Sequence, residues 1–460
     1  MATAAYWDEL VASTVKGRRW VAALDVLGGL DRLAERMIRH GAEGLFVIAG
    51  SRGTGDPPPP GFASWKVLGI SADTIMNGIR NFERALVDLP ADVVAAVDAF
   101  DPDRSARVLR TVVAVDHAVA GRECYGTRPA AWAELEDKLS ADQIWDRAGV
   151  VRAPSAIAAA SSHDLKKAAR DHDRGMGTVW AGDNREGWHG GASYTRWVRD
   201  EESAAQATAF FEDHCDRVRV MPFLDGVPCS IHGIIVGDEV ITFRPVELII
   251  LRRPDSAELF YAGAATTWDP PDADRQTMRR AAVGVGEHLR DSVGYRGAYN
   301  LDGVLTSEGW RPTELNARFS VGLGTLQQHF EAPLYHLHLN IVEGEDLDYR
   351  ARELERQVTE VADEKRSGGF GAPLDGQVTE ERSAGVVFED DTCRFAHDDG
   401  ENADGTLTLG PGPQGSYLRL RLRNPQPGKL SSEKAVQAIA LADAEWGTGI
   451  GALAAAPDVR

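Results

Sequence analysis

Tyr299-Asn-Leu-Asp-Gly-Val-Leu-Thr-Ser-Glu-Gly-Trp-Arg-Pro-Thr-Glu-Leu-Asn-Ala-Arg318 reads as two strands around the polar turn Thr306-Ser-Glu-Gly309, which predicts an antiparallel hairpin. Side chains two apart in a strand share a face, so Glu314, Asn316 and Arg318 point one way while Leu315 and Ala317 point the other. Asn300 and Asp302 likewise share a face of the first strand. If the two polar faces coincide, one sheet surface displays two carboxylates, two carboxamides and a guanidinium. Carboxylates that close repel, and one is driven to take up a proton unless something compensates. Magnesium takes hard oxygen ligands, commonly one or two carboxylates with phosphate and water, and Asp302, Glu314 and Asn316 offer that set. Arg318 on the same face is a planar fork suited to a phosphate oxygen. The competing reading is a half-solvated sheet face with no special role, because any such strand alternates.

Upstream of the hairpin, Asp274 to Val293 has helical spacing, and Val218 to Leu251 is strand-like, with Gly237-Asp238 as a hairpin turn. Gly187-Trp-His-Gly-Gly-Ala-Ser193 is glycine-rich, Leu165 to His172 fits a surface helix carrying Lys166 and Lys167, and Asp137 to Gly149 fits a helix with Ser140 as N-cap. In the first third, Gly44 to Ala49 is a buried parallel strand by its unbroken apolar run, and Asp92 to Val97 reads as another. Gly50-Ser-Arg-Gly-Thr-Gly55 imitates a dinucleotide-binding loop. Such a loop must open a helix, and Asp56 with Pro57 to Pro60 follows instead, so it is read as a surface loop. Downstream lie a charged helix (Leu347 to Glu364), a glycine-rich break (Gly368 to Gly371), an alternating strand (Ser416 to Arg423) and an Ala-rich helix (Glu433 to Trp446).

The 460 residues carry 50 Lys plus Arg against 70 Asp plus Glu, a formal net charge of -20. With no basic cluster, that balance argues against nucleic acid and anionic membrane as partners. No stretch approaches the roughly 18 apolar residues that span a bilayer, and no secretory signal is visible, so the expectation is a cytoplasmic protein. Cys124, Cys215, Cys229 and Cys393 are far apart and form no metal or disulfide pattern. Only 8 of the basic residues are lysines. A site that needs lysine therefore has few candidates.

Taken in order, Asp137-Lys138, the glycine-rich loop, Val220-Met-Pro-Phe-Leu-Asp-Gly226, Leu301-Asp-Gly-Val304 and Glu314-Leu-Asn-Ala-Arg318 resemble the ATP-grasp superfamily over roughly residues 40 to 345. The resemblance implies a mixed α/β and α+β architecture, the ATP-grasp fold. It would comprise an N-terminal α/β pre-grasp domain (1–136), a small lobe (137–225), a large lobe with the metal site (226–345) and an added β-rich C-terminal module (346–460). It also implies ATP, two magnesium ions, a small-molecule carboxylate donor and an amine or peptide acceptor; a homodimer is left open. By the same resemblance Asp302, Glu314 and Asn316 are metal ligands, Lys138 contacts the α/β-phosphates, and Met221, Phe223 and Leu224 form the adenine hinge. Gly190, Gly191 and Ser193 cover the phosphates, and Arg318 holds the transferring group. The C-terminal module and arginine-rich composition resemble peptide ligases of actinobacterial specialised metabolism, of the pheganomycin type.

The departures are specific. The family places a second lysine on the strand before the glycine-rich loop, where Gly177-Thr-Val-Trp-Ala181 offers Trp180. A ribose-binding acid is replaced by Val227, Pro228 and Cys229, leaving Asp225 as substitute. The expectation is that arginine takes over, with Arg252 or Arg253 first and Arg244, Arg185 and His189 behind. His329, His336 and His338 read as packing residues, the last two on a strand; Glu247 reads as an edge residue or one facing substrate or metal, and Trp188 as a shield against water or as plain packing.

Overall fold

The hairpin is present in the computed structural model as strands Gly297–Thr306 and Gly309–Asn316. The structure describes residues 3–330, 332–376, 378–397, 402–412 and 415–460. Register pairs Asn300 with Asn316 and Asp302 with Glu314, so the polar faces coincide. A bulge follows Asp302, and Gly303 there admits a close approach: a Cβ would lie 2.4 Å from the Arg311 carbonyl oxygen and 2.5 Å from Trp310 Nε1.

The hairpin closes one side of a 6-stranded antiparallel sheet ordered Leu259–Ala265, Val246–Arg252, Val227–Val236, Gly297–Thr306, Gly309–Asn316, with Glu239–Thr242 also pairing Val227–Val236. Helix Asp272–Val293 covers one face of it. Met278, Ala282, Val285 and Leu289 recur at helical spacing and bury against Ile231, Ile235, Leu301 and Leu305. Each such large side chain contributes about 1.5–3 kcal/mol. Gly294 ends the helix in the left-handed conformation, φ +63°. The opposite face carries Asn300 and Asp302; at one end it buries Ile234 and Ala298 against Leu323 and Leu337, and at Asp302 it lines a cleft.

A smaller antiparallel sheet runs Ala156–Ala159, Arg217–Pro222, Thr178–Gly182, Thr195–Val198. Helices Ser162–His172 and Glu201–His214 bury Leu165, Ala207 and Phe211 on its Trp180, Val218 and Val220 side. Lys166 and Lys167 are exposed on the first of these, Lys167 paired with Asp171 at 2.8 Å.

In the N-terminal part, four parallel strands are ordered Ala63–Val67, Gly44–Ser51, Arg19–Val26, Arg107–Arg110. The expected strand at Asp92 to Val97 is instead helix Ala91–Phe100, which buries Val93 and Val97 one turn apart on the sheet. A run of valine and alanine is apolar at both periods, so burial on one face decided between them. Gly50 to Gly55 opens no helix; Thr54 hydrogen-bonds the Pro411 carbonyl and Gly55 N donates to Glu381 at 3.2 Å.

A 5-stranded antiparallel sheet follows, ordered Gly369–Asp375, Gly415–Leu422, Gly405–Gly412, Arg382–Glu389, Thr392–Phe395. Helix Ser431–Trp446 buries Ala435, Ala438, Ile439 and Ala442 between this sheet and Ile249 and Leu251 of the large one. Glu247 is no edge residue: it is 1% exposed and accepts the Ser431 and Ser432 N–H groups at 2.7 and 2.9 Å, where that helix begins. Burial pushes its carboxyl up to about 7. His336 and His338 lie on helix Leu334–Glu343 rather than on a strand, and both are buried packing residues. Among the described residues, no helix is long and apolar enough to cross a membrane.

Candidate functional site

Residues of the large sheet and of the smaller antiparallel sheet line a cleft with a cavity volume of about 390 Å³, a size that suits a small-molecule ligand. Asn300, Asp302, Glu314 and Asn316 form one wall. Asn300 Nδ2 and Asn316 Nδ2 donate to the two oxygens of Asp302 at 2.7 and 2.9 Å. Lys138, 4% exposed, donates from Nζ to Glu314 Oε1 at 2.6 Å.

The two carboxylates are driven apart in acidity. Burial first, then the charge of Glu314, pushes Asp302 up to about 6. Burial acts on Glu314 in the same sense, but the charge and hydrogen bond of Lys138, with Arg318 behind them, outweigh it and hold Glu314 below its usual range. Beside them, Asn300 Oδ1 and His232 Nδ1 are buried without a hydrogen-bond partner among the described residues. Burial pushes His232 down to about 3, so this ring is neutral.

The facing wall comes from the small sheet. Register pairs Val179 with Met221 and Ala181 with Arg219, and all four line the cleft. Trp180 points the other way, buried in the helical core with its Nε1 on Thr178 Oγ1 at 2.9 Å. Strand alternation therefore puts Val179 and Ala181, not Trp180, on the cleft wall, and the charged side chain on that wall stands on the neighbouring strand. Arg219 is 1% exposed; it donates to both oxygens of Asp142 at 2.6 and 3.2 Å and to the Thr313 carbonyl at 3.1 Å.

At the end of strand Arg217–Pro222, Phe223 stacks on Trp197 with centroids 4.1 Å apart. Arg252 pairs with Asp225 at 2.6 Å and lies 5.0 Å from the Phe223 ring centre. Arg253, just past the end of that strand, faces away: it donates to the Ile450 carbonyl at 2.8 Å and lies over Phe260. Residues 448–460 return to this edge, where Arg252 and Ala454 exchange main-chain hydrogen bonds of 2.8 and 3.0 Å and Ala456 lines the cleft.

The glycine-rich loop between Thr178–Gly182 and Thr195–Val198 covers one end, with Trp188, Gly190, Gly191 and Ala192 lining the cleft. Ser193 turns inward to the loop, its Oγ on the Gly190 carbonyl at 2.7 Å. His189 is stacked on Tyr194 at 4.2 Å, and burial with the nearby Lys138 charge pushes it down to about 4. Arg318 lies 5.0 Å from the Trp188 ring centre and pairs with the buried Glu136.

Sequence comparison matches no family model and no curated protein. Solved structures do match. N5-carboxyaminoimidazole ribonucleotide synthetase in its ADP complex superposes with a TM-score of 0.51 at 11% identity, covering 93% of this chain and 96% of that one. The chain has the ATP-grasp fold. Biotin carboxylase from Campylobacter jejuni, in a βγ-ATP complex, gives 0.52 at 12% identity over 89% of this chain and 88% of that one. L-amino acid ligase from Bacillus licheniformis gives 0.51 at 13% over 88% and 94%.

The ATP-grasp cleft gathers Lys138, Gly190, Gly191, Met221, Phe223, Leu224, Arg252, Asp302, Glu314, Asn316 and Arg318 from the sequence expectations. Ser193, Asp225 and Arg253 do not line it. Arg244 is buried between Asp269 and Asp363, at 2.8 and 2.9 Å, and Arg185 is bound to the Cys215 carbonyl at 3.1 Å, both away from the cleft. Arg219 and Glu136 were not foreseen. Arg219 left a signal, since it shares its strand face with Met221; Glu136 left none, being one acid among several before Lys138. Among the described residues, no three His, Cys, Asp or Glu side chains are grouped to hold a metal ion, so a cation here depends on Asn316 and on oxygens brought by a ligand.

Proposed function

We propose that this protein is an ATP-dependent ligase that joins a carboxylate to an amine through an acyl phosphate, releasing ADP and phosphate. The observation that supports it is the convergence of the Asp302–Glu314 pair, Lys138, Arg219 and Arg318 in one cleft under a glycine-rich loop. In this reading the apolar Met221, Phe223 and Leu224 hold the base, and Arg219 supplies the small lobe's phosphate contact in place of a lysine. Asp225 and Arg252 sit beside the hinge as a fixed pair.

The donor set fits magnesium: two carboxylates and the Asn316 amide are hard ligands, and the unpartnered Asn300 Oδ1 beside Asp302 marks an incompletely satisfied oxygen cluster. Asp302, Glu314 and Asn316 would hold it, where it would neutralise charge on phosphate oxygens. The side chains then have separate tasks. Lys138 and Arg219 orient the phosphates from opposite walls. Arg318 meets the transferring phosphoryl group as the donor carboxylate oxygen bonds to phosphorus and ADP leaves. The amine nitrogen then attacks the acyl carbon, loses a proton, and phosphate departs.

An amino acid or peptide N-terminus as acceptor is the finer proposal, supported by the resemblance to peptide ligases and by the fold shared with L-amino acid ligase. Ala181 on the cleft wall favours a second reading, a nucleotide binder without turnover. Assay of ADP release against pooled carboxylates, with and without pooled amines, separates them. Amine-dependent ADP supports the ligase; ATP binding with no turnover under any pool supports the binder.

A further inference from the structure

Glu136 has no place in the expectations drawn from sequence, yet three donors converge on it. Its side chain is 2% exposed; Oε1 pairs with Arg128 and Oε2 with Arg318, and Oε2 also accepts Trp188 Nε1 at 2.5 Å. Arg128 is fixed independently, by the Ala317 and Val113 carbonyls at 3.1 and 3.2 Å. Arg318 is not: among the described residues its one hydrogen bond is to Glu136. A guanidinium with five donors, anchored at one edge, keeps the rest for the cleft it lines.

Trp188 belongs to the glycine-rich loop. Its ring centre lies 5.0 Å from the Arg318 guanidinium carbon, so the indole both shares the anchor and covers the cation. Gly190 makes room for this: a Cβ there would sit 2.9 Å from the Trp188 ring. The loop thus reaches the anchor of Arg318 only when it lies down on the cleft.

We propose that Glu136 is the positioning residue for Arg318, and that Trp188 latches the glycine-rich loop onto the same carboxylate. Loop closure and the alignment of Arg318 are then one event. The idea rests on the ligase reading for its chemistry, because an acyl phosphate formed under an unlatched loop would be open to water, giving ADP and phosphate without amide. The latch itself rests on the geometry alone.

The test uses the full chain with W188F, W188A and E136Q. First, amide hydrogen exchange of residues 187–193 is followed without any substrate. We expect W188A and E136Q to exchange several-fold faster than wild type, with W188F between, as loss of a buried contact raises local opening. Second, ADP and amide are measured in the same reaction. E136Q should lose roughly ten- to a hundred-fold in kcat with the ATP KM little changed, the pattern of an interaction made in the transition state. W188A should release more ADP than amide, and W188F should restore part of the coupling by keeping the ring over Arg318. E136Q also strands the buried Arg128, so W188F, which leaves both guanidinium partners in place, decides the case if E136Q does not fold. Unchanged loop exchange, or wild-type coupling in W188A, overturns the proposal. If wild type forms no ADP with any acid and amine, the ligase reading fails while the exchange experiment still decides the latch.

Discussion

Arg219 stands directly across the sheet from Ala181, on the neighbouring antiparallel strand, and both face the cleft. The smaller sheet therefore presents its positive charge to the cleft from strand Arg217–Pro222 instead of Thr178–Gly182, the strand that leads into the glycine-rich loop. R219A should weaken ATP binding roughly tenfold or more, the usual effect of losing one charged hydrogen bond, while adenosine binding changes little. Calorimetric titration of each variant with ATP and with adenosine checks this. Equal losses for both ligands would mean that Arg219 only ties the lobes together through Asp142 and Thr313.

Arg252 should behave differently. It lies beside the Phe223 ring and fixes Asp225, so R252A should lower the affinity for ATP, ADP and adenosine alike. R253A, whose side chain serves the Ile450 carbonyl outside the cleft, should stay within about twofold of wild type, as surface changes away from such features usually do. The two positions are neighbours in the chain, at and just past the end of one strand, which makes them matched controls.

Asp302 predicts a pH dependence. Its acidity is weakened, to about 6, by burial and by Glu314, so in the metal-free protein the native state holds this proton more tightly than the unfolded chain does. The resulting stabilisation is full below the unfolded value near 4 and is lost as pH rises through about 6. A divalent cation competes with that proton. Magnesium affinity, read from the shift in melting temperature, should be level above about 6 and fall by about tenfold per pH unit below it. D302N should remove the dependence along with most of the affinity.

Gly303 follows the bulge that sets Asp302 against Glu314. G303A would place a methyl 2.4 Å from the Arg311 carbonyl oxygen, and backbone cannot yield as a flexible side chain does. The expected cost is about 1–3 kcal/mol, seen as a lower denaturation midpoint, with magnesium-dependent stabilisation reduced in the same variant. A stable protein with normal magnesium response would show that the bulge does not hold the carboxylate pair.

Much of the site was legible because it is local. Asn300, Asp302, Glu314 and Asn316 lie on one hairpin, where alternation and a short turn fix both face and register. Met221, Phe223 and Leu224 are likewise neighbours in the chain, and all three line the cleft. Where the signal was degenerate it misled: Asp92 to Val97 and the His336–His338 pair suit a strand by local pattern, yet both lie on helices. Glu247 looked like an edge because its partners, Ser431 and Ser432, lie far along the chain.

By itself the sequence determined the hairpin, its carboxylate pair and the shortage of lysine, since each follows from residue type and spacing of two along a strand. Only the tertiary structure decided which side chains stand around that pair. Arg219 faces Ala181 by cross-strand register, Glu136 receives Arg318 from just past the hairpin and Trp188 from the glycine-rich loop, and Ala456 returns from the far end of the chain to line the cleft. Such neighbours are chosen by how sheets pair and lobes pack, and no local period in the chain encodes that choice.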